Sequence, residues 1–188
     1  MKIGITGGIG SGKSFVCKCL QAYGIEVFDC DDAAKKLMRT SADIQEKLIE
    51  LIGPNTYDED GSLNKAVVAH FLLSSLRNAK AVDQIVHPAV FDAFKQSGLE
   101  FMESAIIFES GAYKLVDKVI AVIAPKEIRI QRVMERDHIS REQVEEWMNR
   151  QLSQKELIKK SDYVVINDGE TDIDKQLSKI IKQCNKQS

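Results

Sequence analysis

Residues 3–14 read Ile3-Gly4-Ile5-Thr6-Gly7-Gly8-Ile9-Gly10-Ser11-Gly12-Lys13-Ser14. A short apolar strand runs directly into Gly7–Ser14, which fits G-x-x-x-x-G-K-[ST], and helix-forming sequence follows at once. Glycines let the backbone turn so that successive N–H groups converge on phosphate oxygens, and a helix beginning near Lys13 adds its partial positive charge. Lys13 is expected to reach the β- and γ-phosphates, and Ser14 to place its hydroxyl on Mg²⁺. The candidate nucleotide-binding residues are therefore Gly8, Ile9, Gly10, Ser11, Gly12, Lys13, Ser14 and Phe15. Such a loop implies a nucleoside triphosphate but not its use, since GTPases, ATPases and small-molecule kinases share it. The only Asn-Lys pairs, Asn64-Lys65-Ala66-Val67 and Asn185-Lys186-Gln187-Ser188, lack the Asp of a guanine-recognising N-K-x-D pattern, which disfavours a GTPase.

Working outward, four further apolar runs stand out: Ile25–Phe28, Ala105–Phe108, Val119–Ile123 and Tyr163–Ile166. Like Ile3–Thr6 they are near-continuous rather than alternating, the pattern of strands covered on both faces in a parallel sheet flanked by helices. Helix-like stretches cover 13–22, 31–39, 42–52, 65–75, 77–97 with an interruption near Pro88, 126–136, 141–160 and 172–184. Ser140 with Gln143 and Ser153 with Glu156 fit capping boxes, in which a hydroxyl and an amide or carboxylate satisfy helix-end N–H groups reciprocally. Almost no strand signal lies between Phe28 and Ala105, far more chain than one crossover helix needs, so this stretch reads as a helical insertion. Within it residues 53–64 carry turn residues, and Asp58-Glu59-Asp60-Gly61 reads as a solvated turn, with Val67 where a calcium loop needs Glu.

The 188 residues suit one domain with an insertion, and 26 basic against 28 acidic side chains give a net charge of −2, which excludes a generally basic nucleic-acid binder. No apolar run approaches the ~20 residues that span a bilayer, and no leader pattern opens the sequence. Cys17, Cys19, Cys30 and Cys184 form no C-x-x-C pair, and with His70, His87 and His138 they match no zinc spacing; reduced thiols in a cytoplasmic protein are expected.

Phe28-Asp29-Cys30-Asp31-Asp32 sets carboxylates just past the second strand, on the sheet edge where ligands of doubly wound folds bind. A phosphoryl acceptor needs a carboxylate to orient its hydroxyl and take its proton, and Mg²⁺ needs oxygen ligands, often through water. Asp31 is the candidate for both, although Asp31 or Asp32 could instead cap the next helix.

The combination Thr6–Ser14, then Gly24-Ile25-x-Val27-x-Asp29-x-Asp31, His87-Pro88 and Ile106-Ile107-Phe108-Glu109 resembles the dephospho-CoA kinase family over nearly the whole chain. That resemblance implies a P-loop kinase that uses ATP with Mg²⁺ to phosphorylate the ribose 3′-hydroxyl of dephospho-CoA, with Asp31 and Lys13 catalytic. It implies a core of residues 1–29, 99–124 and 161–188, an acceptor-binding insertion at 30–98 and a lid at 125–160. The sequence departs from the family at Phe15, at Ala105 in place of a proline, at Glu103 in place of Asp, and at Lys35, which keeps a charge but loses the bidentate geometry of arginine.

Arg129, Arg132 and Arg136 recur on one face of the predicted helix, and Arg141 follows a short link. Such a face is ordinarily solvated, but a phosphoryl transferase uses arginines to compensate charge on the transferring oxygens. In the implied lid, Arg136 and Arg141 are assigned to nucleotide phosphates and Asn167 to the neighbourhood of adenine. Lys35, His87 and Glu109 are the substrate-side candidates, Glu109 because it would end the third strand. Two other readings stay open at this stage: another small-metabolite or nucleoside-monophosphate kinase, and a regulatory module that binds ATP without transferring phosphate. A monomer or weak homo-oligomer is expected.

Overall fold

The computed structural model describes residues 1–185. The end of the expected core segment 161–188 and the last three residues of Asn185–Ser188 lie outside the described residues. Elements follow in the order β1 (Ile3–Thr6), α1 (Lys13–Gln21), β2 (Val27–Asp29), α2 (Cys30–Thr40), α3 (Ala42–Ile52), α4 (Lys65–Ser74), α5 (Leu76–Ser97), β3 (Phe101–Glu103), β4 (Lys118–Ile123), α6 (Lys126–Asp137), α7 (Arg141–Asn149), α8 (Gln154–Lys160), β5 (Tyr163–Ile166) and α9 (Ile173–Asn185). They form two compact units, one of Met1–Phe28 with the chain from Leu99 onward, the other Asp29–Gly98.

The five strands form one sheet in the order β2-β3-β1-β4-β5. β1 pairs in parallel with β3 on one side and β4 on the other, and β4 pairs in parallel with β5. Every residue of β1 is buried, because helices cover both faces of a parallel sheet. On one face Ile3, Ile5, Ile120 and Val122 pack with Val16 and Leu20 of α1 and Leu177 and Ile180 of α9. Neighbours on opposite sides of β1 come from different parts of the chain, so β1 marks the switch point beyond which a ligand crevice opens.

The third strand is not where the apolar run Ala105–Phe108 indicates; it is Phe101–Glu103, and 105–108 forms turns. β1 is short, so its partner runs out of ladder early: Glu103 stands opposite Ile5, and Ser104 N–H donates to the Ile5 carbonyl. The chain then folds back, and fully buried Ile107 lies over Gly4, where any Cβ would collide with Ile107 Cδ1. A short apolar run serves a buried turn as well as a strand, and periodicity cannot separate the two. β2 begins at Val27 rather than Ile25, whose N–H is still spent on the Leu20 carbonyl at the end of α1.

In the second unit α5 runs unbroken through Pro88. Proline inside a helix removes one hydrogen bond and costs ~3 kcal/mol in an isolated helix. Here Val82, Val86, Val90 and Phe94 form a buried stripe at i, i+4 spacing against α2, α3 and α4, and packing outweighs the lost bond. The Asp58–Gly61 turn closes on itself, with Ser62 N–H donating to Asp60 and Asn64 Nδ2 to Asp58. Both capping boxes form as expected, but 141–160 is two helices, α7 and α8, because Ser153 starts a new one.

Gly4→Val would force a branched side chain into the volume of Ile107. Urea unfolding should show a loss of ~1–3 kcal/mol, the usual cost of overpacking a tight core.

Candidate active site

The loop between β1 and α1 is shaped by two glycines with positive φ, Gly10 at 76° and Gly12 at 87°. Ser11 N–H donates to the Gly8 carbonyl, and the N–H groups of Phe15 and Val16 both turn back to Gly12. The Lys13 side chain folds along the loop, its Cγ 3.2 Å from the place a Gly7 Cβ would take. Ser14 and Phe15 are exposed at the start of α1. The sequence-predicted loop residues Gly8–Phe15 thus form one tight glycine turn that runs into the N-terminus of α1, where the helix carries partial positive charge.

Three other segments of the same unit hold this loop in place. Asn167, at the end of β5, is buried; its Nδ2 donates to the Ser11 carbonyl at 2.9 Å, and its own N–H donates to Ile123. Gly12 has to be glycine because a Cβ there would strike Asn167 Nδ2. Arg132 Nη1 donates to the Asn167 carbonyl at 3.0 Å. Arg129 Nε donates to the Ile9 carbonyl at 2.9 Å, and the Ile9 N–H donates to Gln151 Oε1 at 2.8 Å.

Beside the loop opens a cavity of about 580 Å³ lined by residues that include Gly12, Phe15, Cys19, Arg132, Asn167, Gly169 and Ile173. Apolar walls with a few convergent polar groups suit a flat heterocycle. Asn167, assigned from sequence to the neighbourhood of adenine, lines this cavity and also braces the loop.

A carboxylate that could hold a metal ion stands where β3 ends. Glu103 is the last residue of β3, beside β1, and accepts a hydrogen bond from Cys17 Sγ at 3.4 Å. Cys17 lies one turn after Ser14 on α1, so the carboxylate and the Ser14 hydroxyl address neighbouring turns of one helix. Among the described residues no three His, Cys, Asp or Glu side chains gather into a metal cage. Hard oxygen donors from one hydroxyl and one carboxylate fit Mg²⁺, which is commonly held by few protein ligands together with substrate phosphates. Sequence reasoning noted Glu103 only as a departure; the signal that would have singled it out was a carboxylate at the true end of β3.

In the other unit, α2 is capped by Asp29, whose carboxylate accepts from Asp32 N–H at 2.8 Å. Neither Asp31 nor Asp32 is needed as the cap. Asp31 is exposed in the first turn, where the helix dipole favours its charge, and forms no hydrogen bond or ion pair among the described residues. Lys35 is exposed one turn further along α2. His87 is half-buried on α5, 3.5 Å from Asp83 and stacked on Phe91.

The arginines of the 125–160 segment have two kinds of partner. Arg136 is held bidentately by Asp137, and Arg141 by Glu127, both exposed on the surface; Arg129 meets the loop at Ile9 and Arg132 meets Asn167. Hydrogen bonds from Arg141 lower the Glu127 carboxyl below its usual range. Glu109, expected at a strand end, is exposed in the turns after β3 and accepts from Leu152 N–H at 3.3 Å, tethering the link between α7 and α8.

The sequence profile of the dephospho-CoA kinase family matches residues 1–172. The chain is 38% identical over 188 residues to a dephospho-CoA kinase of Bacteroides fragilis, covering 96% of this chain and 91% of that one. It is 40% identical over 176 residues to that of Salinibacter ruber, covering 89% and 88%. Among solved structures, a Thermus thermophilus protein superposes with a TM-score of 0.85 at 30% identity, over 97% of this chain and 96% of that one. A shikimate kinase of Acinetobacter baumannii bound to shikimate, at 16% identity and a TM-score of 0.58 over 100% and 94% of the two chains, shares the fold.

The cavity assignment can be checked through Cys19, the one cysteine that is not fully buried. Burial, then the nearby Asp174, raises its thiol above the usual range, so little thiolate exists at neutral pH and alkylation should quicken as pH rises. Mass spectrometry should find iodoacetamide on Cys19 first, and saturating ATP should slow that reaction at least ~10-fold, since alkylation needs the site to be open.

Proposed function

The chain belongs to the dephospho-CoA kinase family, an ATP-dependent phosphotransferase family of coenzyme A biosynthesis, and we propose that it transfers phosphate by direct in-line displacement onto the ribose 3′-hydroxyl of dephospho-CoA. The observation that carries this reading is the braced glycine loop at the β1 switch point with a heterocycle-sized cavity at its side. Lys13 and the loop N–H groups hold the β- and γ-phosphates and offset charge that builds on them. The adenine occupies the cavity, between Arg132 and the segment after Asn167.

Ser14 directly and Glu103 through water are the groups that would hold Mg²⁺. When bound with ATP, the ion neutralises charge on the β- and γ-oxygens. Asp31 orients the acceptor hydroxyl and accepts its proton as the new bond from the 3′-oxygen to phosphorus forms and the bond to the ADP oxygen breaks. A carboxylate that neither caps its helix nor pairs with a neighbour is available for that work. Lys35 and His87 are assigned to acceptor binding, Lys35 as a point charge for a substrate phosphate. The acceptor-binding part is residues 30–98 and the lid 125–160. One chain supplies every group named, so a monomer suffices. Among the described residues no helix is long and apolar enough to cross a membrane. The four cysteines, which form no C-x-x-C pair, are assigned as reduced thiols of a cytoplasmic protein.

Purified protein with ATP, Mg²⁺ and dephospho-CoA should yield coenzyme A, while AMP, CMP and shikimate should go unphosphorylated; turnover of one of those acceptors instead would reassign the substrate. Asp31→Asn should lower kcat at least ~100-fold with the KM for ATP little changed, the signature of a lost general base. Glu103→Gln should raise the Mg²⁺ concentration needed for half-maximal rate while leaving the KM for dephospho-CoA in place.

A further inference from the structure

We propose that Arg129 and Gln151 are positioning residues for phosphoryl transfer, acting as a pair that grips the one residue Ile9 by its carbonyl and its N–H, in the two peptides on either side of it, and so sets the phosphate loop before ATP arrives. This deepens the kinase reading and rests on it. Arg129 is only 9% exposed, at the first turns of α6. Burial lowers its pKa, with no neighbouring carboxylate acting the other way. Among the described residues it forms no ion pair, whereas Arg136, Arg141 and Arg150 each have a carboxylate partner. A buried cation without a counter-charge is costly unless its charge or its donors serve something else.

What it serves is the loop. Arg129 Nε donates to the Ile9 carbonyl at 2.9 Å, and its Nη2 lies 2.5 Å from the place a Gly8 Cβ would occupy. Its own main chain fills the place a Gly10 Cβ would take, at a position already held at φ 76°, and the end of its side chain stands where a Gly8 Cβ would go. Gln151, on the link between α7 and α8, accepts from the Ile9 N–H at 2.8 Å. The two peptides that join Ile9 to Gly8 and Gly10 are therefore held, one at its carbonyl by α6 and the other at its N–H by the α7–α8 link. Glycine-rich chain loses more conformational freedom on ordering than any other, and a loop already ordered does not charge that loss to the ligand. The guanidinium also leaves an uncompensated positive charge beside the loop, which favours an incoming triphosphate.

Two variants and their combination test this by steady-state kinetics and by titration with a fluorescent ATP analogue, with wild-type turnover of dephospho-CoA as the control for the underlying reading. Arg129→Gln should raise the KM for ATP and the Kd of the analogue at least ~10-fold, with the KM for dephospho-CoA within about twofold. Gln151→Ala should raise the KM for ATP by about threefold or more, and the double variant should fall short of the product of the two, because both grip the same residue. Arg129→Lys, which keeps the charge and one donor, should recover part of the loss. If wild-type enzyme turns over normally while neither Arg129→Gln nor Gln151→Ala weakens ATP, or if both substrates weaken equally, the proposal fails. Should Arg129→Gln not fold, Gln151→Ala and Arg129→Lys decide it: unchanged ATP binding in both would overturn it. Wild-type protein that does not phosphorylate dephospho-CoA would instead overturn the kinase reading.

Discussion

A polypeptide can hold a triphosphate with its own N–H groups only where several of them point to one spot and no side chain stands in the way. That constraint governs the core of this protein. Gly7, Gly8, Gly10 and Gly12 have no room for a Cβ, and the obstructing atoms come from Val122, Arg129 and Asn167 on three different elements. The loop is therefore compressed from outside as well as flexible within. Left-handed φ at Gly10 and Gly12 supplies the turn, while β4, α6 and the end of β5 supply the walls. The sheet order follows from the same need, since β1 can deliver the loop into an open crevice only if its two neighbours come from different stretches of chain.

The parts of this arrangement that depend on local chemistry were legible in the residues. The strand before the loop, the loop itself and the helix after it follow from Ile3–Ser14, and the two capping boxes mark the starts of α7 and α8 because a serine and its partner three residues on interact within one turn. What could not be read depends on partners distant in the chain. Ala105–Phe108 has the composition of a strand, and only the early end of β1 makes it a turn. Pro88 should break α5, and only its packing against α2, α3 and α4 keeps the helix whole. The arginines illustrate the point best. Arg129, Arg132 and Arg136 look alike by spacing and Arg141 follows them, but Asp137 and Glu127 engage Arg136 and Arg141, while the Ile9 carbonyl of the loop engages Arg129 and the Asn167 carbonyl engages Arg132.

The acidic cluster after β2 shows how a small choice of partner sets a role. Three aspartates stand within four residues, and any of them could cap α2. Asp29 precedes the helix with extended backbone and takes the Asp32 N–H, the geometry that a residue already inside the helix cannot adopt. The cap therefore costs Asp31 nothing, and its carboxylate keeps both oxygens for other donors. A similar division separates Glu103 from Glu109: moving the end of β3 back to residue 103 puts one carboxylate beside the Ser14 helix and leaves the other to tether Leu152.

Charge distribution gives the net value of −2 a structural meaning. Several surface cations here are neutralised nearby, as Lys126 and Arg141 are by Glu145 and Lys118 is by Asp162. Exposed pairs of this kind contribute little to stability, roughly 0–1 kcal/mol each, but they remove competing positive surface. Among the described residues Arg129 differs from these in being buried without a carboxylate partner where it meets the phosphate loop. A positive charge buried beside a glycine loop acts on an anion at short range with little screening, whereas exposed cations are screened by water and salt. Local anion binding therefore needs no net positive charge.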